Sequence, residues 1–352
     1  MSNISNADKN FNTETKINKN DVVFHNALED IFEINGVFYE NDKFFRIPEN
    51  VAKSVSEGVH LLNPHTSGGR IRFKTNSPYI AIYAKMGGVS RMPQMTLLGT
   101  GGFDLYVQNG EKYVYFNSFT PPSHLTDDCD YESVLDFGAT EEKEILINFP
   151  LYSYVKELYI GISDKAIIKK PRPYKNSKRI VYYGSSITQG GCASRPGNSY
   201  QNMILRKFDC DYINLGFSGN AKAEKEIVDY IANLDMDIFV YDYDHNAPTV
   251  EHLKNTHEQM FKSIRDKKPN IPIIMMSRPK IFLNEEEEER FEIVKTTYVN
   301  AKNSGDENVY FISGKELMSL TDNDGTVDNC HPNDLGFYSI AETLSKVLEK
   351  LM

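Results

Sequence analysis

The chain of 352 residues predicts an α/β fold built from two regions. An antiparallel β-sandwich or jelly roll is expected over 21–168, and, after a linker at 169–178, a doubly wound parallel-sheet domain over 179–352. Two rhythms in the sequence carry this division. Upstream, short alternating runs such as FRIPENVA, GGRIRFKTN, YIAIYAKM, MTLLGTGGFDLYV, KYVYFNSF and EKEILINFP are broken by Gly, Pro, Asn and Asp about every ten residues, the pattern of half-buried antiparallel strands. Downstream, apolar β runs (RIVYYG, YINLGF, DIFVYD, IPIIMMS, VYFIS) alternate with segments of helical period. Val250, Leu253, Met260, Phe261 and Ile264 keep 3–4 spacing, as do Phe337, Ile340, Ala341, Leu344, Val347, Leu348 and Leu351. Such alternation buries a parallel sheet between helices, and sites in such sheets lie beyond the carboxyl ends of the strands. The basic, proline-punctuated stretch KKPRPYKNSKR marks the boundary, and EEEEER at 285–290 reads as the solvated start of a helix whose dipole favours acids.

Composition narrows the classes. Residues 1–20 are Asn-, Lys- and Thr-rich with almost no apolar content, so a disordered tail is expected there. With 39 basic and 49 acidic residues the formal charge is −10, which argues against nucleic acid as a partner because phosphate contacts need clustered Lys and Arg. No apolar run approaches the roughly 20 residues of a membrane span, so no membrane partner is expected. The first twenty residues lack the apolar core of a secretory signal, so a cytoplasmic location is expected. Cys129, Cys192, Cys210 and Cys330 show no CxxC or metal-ligand spacing and fit reduced thiols. The oligomeric state is not legible.

The chemistry sits at strand ends. GSSITQGG (184–191) directly follows the first strand of the second region, where a serine hydroxyl can stand above the sheet edge with backbone N–H groups nearby; a capped Ser/Gly turn reads equally well from this segment alone. DNCHP (328–332) precedes the last helix, with Pro332 suited to its first turn. There Asp328, three residues before His331, can hold one imidazole nitrogen and leave the other for a nucleophile. Between these blocks, NLGFSGN places Gly219 after the second strand and YDYDHNAP places Asn246 after the third, both able to aim N–H groups at a substrate oxygen.

This four-station pattern resembles the SGNH hydrolases, the GDSL esterase/lipase superfamily, over 178–352. The resemblance implies a flavodoxin-like catalytic domain, Ser186 as nucleophile, Asp328 and His331 as its triad partners, and an oxyanion hole made by the Ser186 amide, Gly219 and Asn246. One departure is plain: the usual Gly-Asp-Ser reads Gly-Ser-Ser, with Ser185 in place of the acid. The third block also lacks its usual Gly-x-Asn-Asp form. GFDLY (102–106) and NFPLY (148–152) resemble the N-terminal β domain that precedes a branch of these esterases, and GSSITQGGCASRPG resembles that branch's first block. Enzymes of this layout resemble carbohydrate esterases, which implies an acylated, by preference acetylated, saccharide as substrate and no cofactor.

Other residues compete with this reading. Ser218 in GFSGN lacks the final glycine of a nucleophile elbow and is set aside. Arg195 could orient substrate or merely pair with an acid, and His245 could contact substrate or only pack. Cys192 and Cys330 flank the proposed site as packing residues. A hydrolytic metal has no visible ligand set, although His331 and Asp328, with Asp244 or His245, could in principle hold an ion. A lipase or thioesterase with a longer acyl group, and a non-catalytic carbohydrate-binding protein, are the rival classes.

Overall fold

The computed structural model describes residues 16–352. In the β-rich region a pair of antiparallel sheets face one another across a shared core. One runs in the order Val22–Asn26, Tyr154–Ser163, Tyr79–Gly88, Asp130–Asp136; the other in the order Ile168–Lys169, Arg70–Thr75, Lys143–Asn148, Phe103–Asn109, Lys112–Phe119, with Glu33–Asn35 also pairing to Arg70–Thr75. Alternation does the work the sequence suggests: Ile71, Phe73, Ile80, Ile82, Leu105, Ile145, Ile147, Leu158 and Ile160 all point into this core and are essentially without exposure.

Two local expectations are corrected. FRIPENVA is a strand only to Phe45; Pro48 then caps a helix at Glu49–Val55, and a second helix follows at Glu57–Leu62 with Ser56 accepting from the Val59 amide. Proline fixes φ near the helical value and lacks the N–H a strand would use, so the run turns at that point. MTLLGTGGFDLYV likewise begins as a short helix, Leu97–Gly101, before its strand. Of the tail expected over 1–20, residues 1–15 lie outside the described residues, while Ile17 donates to Glu132 at 3.2 Å and Lys19 pairs with Asp136 at the sheet's edge strand.

The second region is a five-stranded parallel sheet: β1 (Asn176–Gly184), β2 (Cys210–Gly216), β3 (Ile238–Asp242), β4 (Ile273–Met276) and β5 (Val309–Ile312), in spatial order 2-1-3-4-5. Helices follow as α1 (Ser186–Gln189), α2 (Tyr200–Phe208), α3 (Lys225–Asn233), α4 (Val250–Lys267), α5 (Glu285–Asn303) and α6 (Asp334–Leu348), with a further short turn of helix at Gly314–Leu317. β1 shows why both faces are covered: Val181 and Tyr183 join α3, α4 and α5 in one core, whereas Ile180 and Tyr182 join α2 and α6 in the other. The acidic run does open α5, where Asn284 and Glu287 form a capping box. Pro332 lies outside the first turn it was expected in, two positions before the helix, since α6 starts at Asp334 with Asn333 as its cap, accepting from the Leu335 and Gly336 amides.

The two regions share their cores. Ile47, Ala52, Val55 and Val59 from the first pack with α3 and α4, and Tyr106, Leu146, Leu151 and Tyr152 pack with α2 and α6. The segment between them is clamped: Arg172 pairs with Asp209 at 2.6 Å and Tyr174 lies 3.8 Å beneath the Arg72 guanidinium. No helix among the described residues is long and apolar enough to cross a membrane.

Candidate active site

All four sequence stations meet at the carboxyl edge of the sheet. β1 ends at Gly184, and Ser185 then caps α1 by accepting from the Ile187 amide at 3.1 Å. Ser185, standing where an acid was usual, thus makes the N-cap bond that suits a short polar side chain. The acid beneath this turn comes from β3 instead: Asp242 accepts from the Thr188 hydroxyl and the Ser185 amide. Complete burial pushes the Asp242 carboxyl well above the usual range, against the pull of those hydrogen bonds. Gly184 is required here, because a Cβ would fall within 1.7 Å of Asp242.

Ser186 is 5% exposed, and its Oγ lies 2.9 Å from His331 Nε2. His331 Nδ1 lies 2.8 Å from Asp328 Oδ2, and Asp328 Oδ1 accepts from the His331 and Cys330 amides at 2.7 and 3.1 Å. Burial tends to raise the Asp328 carboxyl, but the amide and ring hydrogen bonds from His331, its charge and the Cys330 amide together hold it below the usual carboxylate range. The loop bearing both residues is closed by a bond from Val327 N to His331 O and by Asn333, whose side chain donates to Asp324 O at 2.7 Å. It is tied to the serine loop by Cys192 N donating to Pro332 O and by Asp334, which accepts from the Ser194 amide at 2.9 Å and the Asn198 side-chain amide at 2.9 Å.

Three N–H groups complete the cluster. Gly219 adopts φ +68°, which favours glycine, and nothing lies within 4 Å of where a Cβ would stand. Among the described residues neither the Ser186 nor the Gly219 amide has an intramolecular acceptor. Asn246 accepts from the Ala221 amide through Oδ1 at 3.4 Å, and among the described residues its Nδ2 has no acceptor. The third station therefore leans on the second.

The two residues left open between substrate contact and packing have partners within the protein. Arg195 pairs with Asp104 at 2.9 Å, bonds to the Tyr106 hydroxyl and lies 3.8 Å over the Tyr115 ring, so its charge serves the seam between the two regions. Asp104 is the acid of GFDLY, is fully buried, and also accepts from Gly197 N and from Asn148, the first residue of NFPLY. His245 has an 8% exposed side chain whose Nδ1 faces Asp244 at 3.1 Å and whose Nε2 has no solvent-exposed surface, so it packs. Ser218, set aside on sequence, has its amide bound to Gln189.

Asp328, Cys330 and His331 bring three potential metal-ligand atoms within 4.8 Å of one another. Both ring nitrogens of His331 already have partners in Asp328 and Ser186, so an ion there would have to displace one of them. Burial pushes the Cys192 thiol up to about 12, with Asp328 and Cys330 adding to the effect, which leaves it protonated and a poor nucleophile. A groove of 620 Å³ between α4 and α5, lined by Glu258, Arg265 and Asp306 among others, lies at the amino ends of β4 and β5, the opposite edge from this chemistry.

Residues 177–349 match the family described as GDSL-like Lipase/Acylhydrolase, and residues 22–168 match GxDLY, described as the N-terminus of Esterase SGNH hydro-type. No match to a curated protein was found. Among solved structures, a Bacteroides ovatus protein assigned as a GDSL-like lipase is 31% identical with a TM-score of 0.84, covering 94% of this chain and 98% of that one. The salicylyl-acyltransferase SsfX3 of a tetracycline biosynthetic pathway is 17% identical (TM-score 0.74, 95% and 98% covered). An acetyl xylan esterase from the rumen bacterium Butyrivibrio proteoclasticus is 13% identical (TM-score 0.57, 93% and 98% covered).

Proposed function

The chain belongs to the GDSL-like lipase/acylhydrolase family and is a carboxylic ester hydrolase, and from that premise we propose that it removes acyl groups, by preference acetyl, from a carbohydrate through a Ser186–His331–Asp328 triad. The observation that carries this reading is the continuous hydrogen-bonded line from Ser186 Oγ through both ring nitrogens of His331 to Asp328. Ser186 Oγ attacks the ester carbonyl while His331 Nε2 takes its proton; Asp328 fixes the ring and stabilises the imidazolium. The tetrahedral oxyanion is met by the Ser186 and Gly219 amides and Asn246 Nδ2, donors that need no rearrangement at the moment of reaction. Collapse expels the sugar hydroxyl, protonated by His331, and water repeats the cycle on the acyl-enzyme. Every step is carried by these side chains and amides.

The saccharide side of the proposal is supported by the shared fold with carbohydrate esterases, and the acetyl preference by the same likeness. The 31% identical protein assigned as a lipase favours a second reading, a longer acyl chain on the same machinery. The test is turnover of p-nitrophenyl esters in a chain-length series, then acetate release from a panel of acetylated oligosaccharides. Ser186→Ala is expected to lower kcat by roughly 10⁴-fold or more while leaving the thermal midpoint in place, in line with the losses such triads show. Ser186→Ala turnover within about tenfold of the parent would remove Ser186 from the mechanism, and a maximum at long chains would favour the lipase reading.

A further inference from the structure

The first block contains a residue the proposed mechanism does not use. Gln189 ends α1, three residues after Ser186, and is wholly buried. Its Oε1 accepts from the Ser218 amide at 3.0 Å, so it holds the residue immediately before Gly219. Its Nε2 donates towards Leu151 O at 3.3 Å and stands 3.2 Å from His65 Nδ1, both in the β-rich region. Burial, reinforced by the Arg46 charge, pushes His65 down to about 3, so the ring is neutral and its Nδ1 is free to accept. The main chain is gripped from the same side: Ser67 Oγ donates to Gln189 O at 2.6 Å, and Tyr152 Oη donates to the carbonyl of Ser186 itself at 3.1 Å.

The turn on the other side of Gly219 is equally pressed. Asn220 N donates to Phe217 O at 2.8 Å, and helix Glu57–Leu62 packs so tightly on Asn220 that a Cβ on Gly58 would fall 2.0 Å from its side-chain oxygen. The Arg46 guanidinium donates to Gly216 O and lies 4.4 Å over the Phe217 ring. The loop is anchored within its own region by Phe217 N donating to Gly184 O at 2.8 Å and by Ala221 N donating to Asn246 at 3.4 Å, and the further contacts that set the Gly219 amide against Ser186 run through Gln189 or come from the β-rich region.

We propose that Gln189 and Tyr152 are positioning residues of the esterase, and that the β-rich region acts through them to set the Gly219 N–H against the Ser186 hydroxyl. This rests on the oxyanion role given to Gly219 above. Gln189 is not a catalytic residue, since its side-chain atoms are all occupied within the protein. Its amide works because it is bifunctional: the carbonyl fixes the oxyanion loop and the NH₂ ties the side chain to the β-rich region. A donor misplaced by about 1 Å can cost 10²-fold in rate, so loss of this bridge should appear in kcat and hardly in KM.

The experiment compares the parent, Gln189→Met, Gln189→Glu, Tyr152→Phe and Ser186→Ala by two readouts: kinetics on p-nitrophenyl acetate, and amide hydrogen exchange of residues 217–221. Gln189→Met keeps the volume and removes both bonds; it should lower kcat roughly 10–100-fold with KM within about twofold, and speed exchange at 217–221. Gln189→Glu retains the acceptor for Ser218 N and should recover some of both. Tyr152→Phe removes a single hydroxyl from a ring that stays packed and should lower kcat about tenfold. The inference is overturned if Tyr152→Phe and Gln189→Met keep parental kcat, or if Gln189→Met leaves exchange at 217–221 unchanged. Should Gln189→Met fail to fold, Gln189→Glu and Tyr152→Phe decide by the same two readouts. Ser186→Ala separates the two ideas: retained turnover there sinks the triad, while the exchange of 217–221 still judges the bridge.

Discussion

At the scale of single residues the most informative side chain is Asp328. Its carboxylate is held below the ordinary range by three hydrogen-bond donors that the tight 328–331 loop itself supplies, so it stays ionised through any pH at which the fold persists near neutrality. Falling activity between about pH 8 and 5 must then come from another group. Asp328→Asn keeps the shape but offers the ring an amide in place of a charged acceptor. It should lower kcat by roughly 10³–10⁴-fold, the scale seen when a triad histidine loses its tautomer control, with unchanged thermal midpoint; steady-state kinetics beside a melting curve checks it. These residues were legible in the sequence because each station is a contiguous block at a strand end, where residue type and position coincide. For Arg195 and His245 the sequence left substrate contact and packing both open, because the choice depends on partners set by the fold: Arg195 pairs with Asp104, 91 positions back along the chain, and His245 turns onto its own neighbour Asp244.

Among elements, the seam between β3 and helices α4 and α5 carries a pH-dependent stability. His257 on α4 is 1% exposed, with ring centroids 4.9 and 5.6 Å from Tyr241 and Tyr243 of the β3 segment and Nδ1 2.9 Å from Thr297 on α5. Burial pushes its pKa down to about 4, although Asp244 and Glu258 pull the other way. In the unfolded chain a histidine titrates near about 6.5. Between these values the unfolded state binds more protons, so this contribution is complete above about pH 6.5 and is lost as pH falls towards 4, at up to about 1.4 kcal/mol per unit. From pH 7 to 5 the loss through His257 is about 2 kcal/mol. Urea unfolding at the two pH values should show the parent losing that much more than His257→Gln; equal losses would mean His257 is charged in the folded state. The element itself was plain from its 3–4 spacing, whereas helix Glu49–Val55 was not, because seven residues carry too few turns for a period to show and the alternation of FRIPENVA runs straight through Pro48.

On the scale of the whole molecule, sequence rhythm separated two regions that the packing joins. Alternation reports which face of an element is buried but not against which neighbour, so 21–168 reads as a separate sandwich although its Ile47, Ala52, Val55, Leu151 and Tyr152 sit in the cores of the parallel sheet. Buried charge reinforces the join. Asp104 is without exposure and is held by Arg195, Gly197 N and Asn148, and Arg70, equally buried, pairs with Asp211 and lies 4.2 Å over the Tyr212 ring. Regions with separate cores would melt separately; regions that share cores should melt together, with calorimetric and van't Hoff enthalpies in agreement. Asp104→Ala sharpens the expectation. It strips the partner from Arg195 and from a buried amide, a change that costs about 3–5 kcal/mol when a buried pair is broken, and in a chain of this size should lower the midpoint by roughly 4–7 °C. Because both regions stand on that seam, the single transition should shift as a whole. Calorimetry that instead resolved two transitions in Asp104→Ala, the later one at the parental midpoint, would show that the parallel-sheet region holds its fold without the β-rich one.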